Sequence, residues 1–237
     1  MTTSNADRPQ TLAGLAAMMD ATVLKPQATR AEVIRLCEDA RRVGAAAVCV
    51  NPIFVPEVRD RLEGSSVAVC TVVGFPLGAV PTETKVGEAC RAIQDGATEI
   101  DMVLWVGGLK AGERDAVRDD IAALANVVHI RGARLKVIFE TCLLTDEEKR
   151  LACEWSVAVR ADFVKTSTGF STGGATVEDV RLMSRAVASA GLGVKASGGI
   201  RTLADALAMI AAGATRLGLS AAPAILDEAR AMGWPER

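Results

Sequence analysis

The 237-residue chain has no tyrosine and only one histidine, His129. A metal centre needing two imidazoles is therefore excluded, and no close Cys/His cluster offers the ligand set of a zinc site. Neither a metal nor any other cofactor is expected. His129 stands three residues before Gly132 at a helix end, where a cation is favourable without any catalytic role. The cysteines at 37, 49, 70, 90, 142 and 153 form no Cys-x-x-Cys pair and mostly lie in apolar stretches, so they read as free, buried thiols. Aromatics are scarce, with three Trp and five Phe, and no basic run is present. Lys and Arg number 27 against 29 Asp and Glu, a net charge of −2, whereas nucleic acid demands concentrated positive charge. A small molecule is the expected partner, with no nucleic acid. The longest apolar run, residues 67–80, is broken by Gly74, Pro76 and Gly78 and is too short to span a bilayer, so no membrane partner is expected. The polar first ten residues lack the apolar stretch of a secretory signal, so a cytoplasmic location is expected.

Half of the residues are apolar and 24% are charged, enough for a full core and too apolar for disorder. One punctuation recurs: an amphipathic stretch ends on glycine, at Gly44, Gly96, Gly132, Gly191 and Gly213, and an apolar β-branched run follows. Glycine takes the left-handed conformation that ends a helix, and each run reads as a strand buried on both faces. Thr29 with Glu32 and Thr145 with Glu148 are capping boxes, and Thr176 and Thr202 are candidate N-caps. Strands are predicted at residues 19–24, 46–50, 67–73, 99–104, 135–139, 162–166, 193–196 and 215–219. Eight parallel strands alternating with helices, without a linker, predict one α/β domain over residues 1–237, a closed (β/α)8 TIM barrel. Residues 1–10 are a flexible extension in this reading. An open doubly wound sheet is the alternative, but no Gly-x-Gly-x-x-Gly or Walker loop supports it.

An ionisable residue inside such a strand costs several kcal/mol unless it is paired or used. Asp101, Lys165 and Lys195 stand in predicted strands four, six and seven. Alternation puts Asp101 on the face opposite Ile100 and Met102. All three are expected toward the C-terminal mouth, where barrel enzymes assemble their sites. Each alone would pass for a buried ion pair or a lysine whose ammonium reaches the rim. Two lysines on neighbouring strands with one carboxylate predict more. Like charges favour the neutral form of one amine while the carboxylate keeps the other protonated, and a neutral amine attacks carbonyls. The residues alone do not choose between Lys165 and Lys195. After strands seven and eight, Ser197-Gly-Gly-Ile and Ser220-Ala-Ala-Pro each precede a helix start and predict a phosphate site on exposed backbone N–H groups. Thr168-Gly-Phe-Ser-Thr-Gly-Gly, after strand six, faces the same mouth.

Seven ordered blocks resemble the deoxyribose-phosphate aldolase family: Asp20-Ala-Thr-Val-Leu-Lys-Pro, Val48-Cys-Val-Asn-Pro, Val72-Val-Gly-Phe-Pro-Leu-Gly, Glu99-Ile-Asp-Met-Val, Glu140-Thr-Cys-Leu-Leu-Thr, Ala161-Asp-Phe-Val-Lys-Thr-Ser-Thr-Gly-Phe and Val194-Lys-Ala-Ser-Gly-Gly-Ile-Arg. The resemblance implies a metal-independent class I aldolase that cleaves 2-deoxy-D-ribose 5-phosphate reversibly to D-glyceraldehyde 3-phosphate and acetaldehyde. It implies Lys165 as the Schiff-base lysine, Lys195 as the group lowering its pKa, and Asp101 as a proton relay with water. Asp20, Thr22, Cys49 and Thr168 match positions at the substrate, and Gly169, Gly198, Gly199, Ser220 and Ala221 match phosphate contacts. A homo-oligomer, dimer or tetramer, is also implied.

The chain departs from the family pattern at several places. Ala21 stands where His is common, Ala221 replaces the second residue of a frequent Ser pair, and Phe170 replaces a Lys found in some members. The terminal Tyr of some members is missing, since the chain ends Trp-Pro-Glu-Arg. Two rival readings of the residues are a phosphate-binding isomerase or synthase using Asp101 and Lys195 as acid and base, and a silent sugar-phosphate binder.

Overall fold

The computed structural model describes residues 9–237, so most of the predicted extension, residues 1–8, lies outside the described residues. Eight strands pair in parallel, in sequence order, into a closed ring. They are β1 (Met19–Val23), β2 (Ala47–Val50), β3 (Ala68–Val73), β4 (Glu99–Val103), β5 (Arg134–Ile138), β6 (Phe163–Lys165), β7 (Gly193–Ser197) and β8 (Arg216–Leu219). The predicted closed barrel is therefore the observed one. Helix α1 (Leu12–Ala16) precedes β1; α2 (Arg30–Val43), α3 (Val55–Leu62) and α4 (Thr82–Asp95) follow β1, β2 and β3. After β4 come α5 (Val106–Ala111) and α6 (Arg114–Ile130). The remaining strands are followed by α7 (Asp146–Ala158), α8 (Val177–Val187), α9 (Leu203–Ala212) and α10 (Ala222–Ala231).

The local signals act as their chemistry requires. Thr29–Glu32 and Thr145–Glu148 form reciprocal capping boxes, and Thr202 forms a third with Asp205; each cap contributes about 1 kcal/mol. Thr176 caps α8 by accepting from the Asp179 N–H. Gly44, Gly96 and Gly213 close α2, α4 and α9 in the left-handed conformation. His129, in the last turn of α6, contacts Asp162 at 3.1 Å, in keeping with a structural reading.

Alternation along the strands sorts side chains into two compartments. Outward residues such as Val48, Ile100, Met102, Val137 and Val164 join the helices in the main apolar core. Inside the ring, β2 and β3 carry an apolar patch of Ala47, Cys49, Cys70 and Val72, joined by Leu24 after β1 and with Phe75 at its edge. Strands β4 to β8 together with Asp20 of β1 supply the buried charges. Glycine makes room where long side chains cross: a Cβ on Gly218 would lie 3.1 Å from Lys195 Cε and 2.9 Å from Ser197 Cβ. A Cβ on Gly193 would enter the Phe163 ring at 2.2 Å.

Candidate active site

Strand register brings the charges together. Ile138 stands opposite Lys165, Lys165 opposite Lys195, and Lys195 opposite Arg216. Asp101 is opposite Lys136 on β5. Asp101, fully buried, occupies the centre of this cluster. Its Oδ2 accepts from Lys165 Nζ and from Lys195 Nζ, each at 2.8 Å, and its Oδ1 accepts from Lys136 Nζ at 2.7 Å. Lys195 also donates to Asp20 Oδ2. Asp20 Oδ1 in turn accepts from Arg216 at 2.7 Å. Lys136 lies 2.6 Å from Glu99 and 3.8 Å from Asp20. The three residues singled out from sequence do converge, with Asp20 beside them.

Burial opposes charge on each of these groups, and the partners decide the outcome. Burial alone would raise Asp101, but Lys136, Lys165 and Lys195 outweigh it and hold the carboxyl well below its usual range. Asp20 behaves likewise: burial is outweighed by Lys195, Lys136 and Arg216, and its pKa falls to about 2. Lys195 is pushed upward against burial by Asp101 and Asp20, so it is firmly an ammonium. Lys136 is raised in the same way by Asp101, Cys70, Asp20 and Glu99. The two lysines that the sequence could not rank have different surroundings: Lys195 lies between two carboxylates, while Lys165 has Asp101 alone and shares its oxygen.

Lys136, Glu99 and Arg216 were missed, although each is an ionisable residue in a predicted strand and the same test would have found them. Glu140 opens one of the family-like blocks. It sits at φ 56°, buried after β5, and accepts from the Thr168 N–H and hydroxyl. Thr168 Oγ1 also accepts from the Phe170 N–H at 3.1 Å, so it is occupied in shaping the loop after β6. Phe170, 48% exposed, meets Phe75 of the loop after β3 edge to face, with centroids 5.2 Å apart. Thr22 donates its hydroxyl to Asp20's carbonyl at 2.9 Å. Cys49 is fully buried, and a hydrogen bond with Cys70 draws its thiol pKa down against the effect of burial.

The phosphate loops need one correction. Sequence reading placed exposed N–H groups at the starts of both α9 and α10. At α9 they are already taken: Arg201 and Thr202 N–H donate to Asp205 Oδ2, each at 3.0 Å, and Leu203 N–H donates to Glu228 Oε2 at 2.7 Å. Two carboxylates therefore occupy that helix end. The start of α10 is different, with Ala221 as its N-cap, no side-chain capping bond and Pro223 in the first turn. Gly169, Gly198 and Gly199 have φ of 83°, 83° and 81°, and a Cβ on Gly198 would lie 3.6 Å from Gly169 Cα. Gly169 and Gly198 thus let the loops after β6 and β7 approach closely.

Cys49, Cys70 and Asp101 offer ligand atoms within 4.8 Å of one another, as do Asp20, Cys70 and Glu99. Their carboxylates already hold Lys or Arg protons, which makes both sets poor hosts for a divalent cation.

A closed ring with a buried cluster of lysines and carboxylates places the chain among the (β/α)8-barrel enzymes. Residues 15–227 match the model of the DeoC/LacD family aldolases. A deoxyribose-phosphate aldolase of Caldanaerobacter subterraneus subsp. tengcongensis is 54% identical over 227 residues, covering 95% of this chain and 98% of its own. A solved putative deoxyribose-phosphate aldolase from Coccidioides immitis superposes with TM-score 0.90 at 42% identity, covering 94% of this chain and 87% of its own. The tetrameric deoxyribose phosphate aldolase from Aeropyrum pernix gives TM-score 0.89 at 33% identity, covering 97% and 100%. The chain belongs to the DeoC/LacD family of aldolases. No helix among the described residues is long and apolar enough to cross a membrane.

Proposed function

We propose that this chain is a class I aldolase that cleaves 2-deoxy-D-ribose 5-phosphate reversibly to D-glyceraldehyde 3-phosphate and acetaldehyde, with Lys165 as the Schiff-base lysine. The observation that carries the role of Lys165 is its single carboxylate partner in a cluster where Lys136, Lys195 and Arg216 each engage two or more. Neutral Lys165 attacks C1 of the open-chain sugar, and loss of water leaves an iminium. The C3 hydroxyl gives up its proton, the C2–C3 bond breaks, and its electron pair flows into the iminium to form an enamine. Glyceraldehyde 3-phosphate departs. Protonation of the enamine at C2 and addition of water release acetaldehyde and regenerate the amine. Asp101 Oδ2, 2.8 Å from both amines, is placed to pass protons between Lys165, Lys195 and water. Lys195 remains the cation beside the developing amine, tethered by Asp20.

Asp20, Thr22, Cys49 and Thr168 line or shape the substrate end of the channel in this reading. Backbone N–H groups of Gly169, Gly198, Gly199, Ser220 and Ala221 hold the phosphate, aided by the open start of α10. The whole chain acts as one barrel domain, in the cytoplasm, as a homo-oligomer. No cofactor takes part in these steps.

The test is borohydride trapping coupled to a turnover assay. Acetaldehyde plus borohydride should inactivate the protein and leave an ethyl adduct on the peptide containing residues 161–168. An adduct on Lys195 would reverse the assignment, and turnover without trapping would favour the acid–base reading. Lys165→Arg, whose guanidinium stays protonated, should abolish both labelling and turnover.

A further inference from the structure

Glu99 and Arg216 are the first residues of β4 and β8, so they lie nearer the N-terminal end of the barrel than the reacting groups. Arg216 Nη1 donates to Asp20 Oδ1 at 2.7 Å and to Glu99 Oε2 at 3.3 Å, and its guanidinium stacks 5.1 Å from the Phe163 ring centroid. Glu99 closes the circuit by pairing with Lys136 at 2.6 Å. Both are buried, and no step of the reaction uses either.

The ionisable groups that face this space can be taken strand by strand. They are Asp20 on β1, Cys49 on β2, Cys70 on β3, Glu99 and Asp101 on β4, Lys136 on β5, Lys165 on β6, Lys195 on β7 and Arg216 on β8. Arg134 approaches Glu99 at 3.7 Å from outside, with its side chain 58% exposed and screened by water. The carboxylates are thus Asp20, Glu99 and Asp101, and the basic groups are Lys136, Lys165, Lys195 and Arg216. The interior balances when one amine is neutral. Guanidinium cannot supply that neutrality, and Lys136 and Lys195 are held by several carboxylates.

We propose that Arg216 and Glu99 are opposed positioning residues that set the charge on Lys165 from beneath: Arg216 neutralises carboxylate charge that would otherwise keep Lys165 protonated, and Glu99 limits that effect. This rests on Lys165 being the Schiff-base lysine. Without Arg216, three carboxylates face three lysines, and all three keep their protons. Without the charge of Glu99, two carboxylates face four cations, and Lys165 loses its proton sooner. The two substitutions therefore act in opposite directions, which a purely structural role would not produce.

The rate of borohydride trapping with acetaldehyde, followed against pH, reads the fraction of neutral Lys165. Arg216→Met should move the midpoint to higher pH and Glu99→Gln to lower pH, each on the order of one pH unit. Arg216→Lys, which keeps the cation, should restore the parent midpoint. Circular dichroism reports whether each variant folds. If Arg216→Met does not fold, the near-isosteric Glu99→Gln decides: an acid shift supports the proposal and an unmoved midpoint overturns it. Shifts of both variants in one direction, or an Arg216→Lys midpoint matching Arg216→Met, would also overturn it. Failure of the parent protein to label at Lys165 would instead remove the Schiff-base reading itself, and this proposal with it.

Discussion

Lys165 and Lys195 face each other across the β6–β7 pairing and direct their Nζ atoms at the same oxygen of Asp101, each 2.8 Å away. Two amines competing for one oxygen are not equivalent when only one has a second carboxylate. Asp20 supplies that second partner to Lys195. Lys195 is thus a resident cation beside Lys165, and its removal should let Lys165 keep its proton further into the alkaline range.

Lys195→Leu should therefore lower turnover at neutral pH and move the alkaline-favoured limb of kcat/KM to higher pH. An unchanged profile would mean that the two groups do not interact. Asp101→Leu should stop turnover while leaving slow borohydride trapping, because it removes the proton path and spares the nucleophile. It should also destabilise the fold by about 3 to 5 kcal/mol, since the ammonium groups of Lys136 and Lys195 lose a buried carboxylate partner.

Chelation is expected to leave activity unchanged. The sulfur and carboxylate atoms near Asp101 lie close enough together to suggest a metal site, but their carboxylates are saturated with ammonium and guanidinium protons. An iminium supplies the electron sink that a Lewis acid would otherwise provide. Activity lost on EDTA treatment and restored by zinc would sink the class I reading.

The barrel itself was legible because its signals are local. Glycine stops, threonine caps and apolar runs each act over a few residues, and the strands fell within about a residue or two of their predicted bounds. Asp101, Lys165 and Lys195 were legible because a charge inside a buried strand is conspicuous. What escaped depends on closure of the ring. Asp20 and Arg216 are 196 positions apart and meet only because β8 pairs with β1. Glu228 covers the start of α9 from the next helix, which no N-cap pattern near Thr202 reveals. Lys136 does not depend on closure: in the middle of β5 it carries the same signal as Asp101, a charge inside a buried strand.

Acid stability should report the same cluster. The carboxyl of Asp20 has a pKa near 2 in the folded state, below its ordinary value of 3.8, so its contribution is present above about pH 4 and is lost as pH falls toward 2. A shift of that size corresponds to roughly 2 kcal/mol. Asp20→Asn should be less stable than the parent at pH 7, and the gap should narrow on acidification through that window. Acid-unfolding curves that stay parallel from pH 5 to pH 2 would count against this coupling.

The phosphate end is the part of the site with fewest side chains to test. Its candidate donors are backbone N–H groups in the Gly198–Gly199 turn and at the start of α10, while α9 is already closed by Asp205 and Glu228. Deleting one hydroxyl there should do little, but a new carboxylate would repel the ligand at close range. Ser220→Asp should raise KM for deoxyribose 5-phosphate by roughly 1 to 3 kcal/mol in binding terms and change cleavage of unphosphorylated deoxyribose far less. Phe170→Lys should act in reverse by adding a cation near the phosphate and sharpening the preference for phosphorylated substrate. That substitution also breaks the edge-to-face contact with Phe75, so Phe170→Leu is the control that removes the ring without adding charge. A preference that sharpens with Lys and stays put with Leu would locate the phosphate beside this loop. Equal losses on both substrates after Ser220→Asp would show instead that the loop after β8 merely supports the barrel mouth.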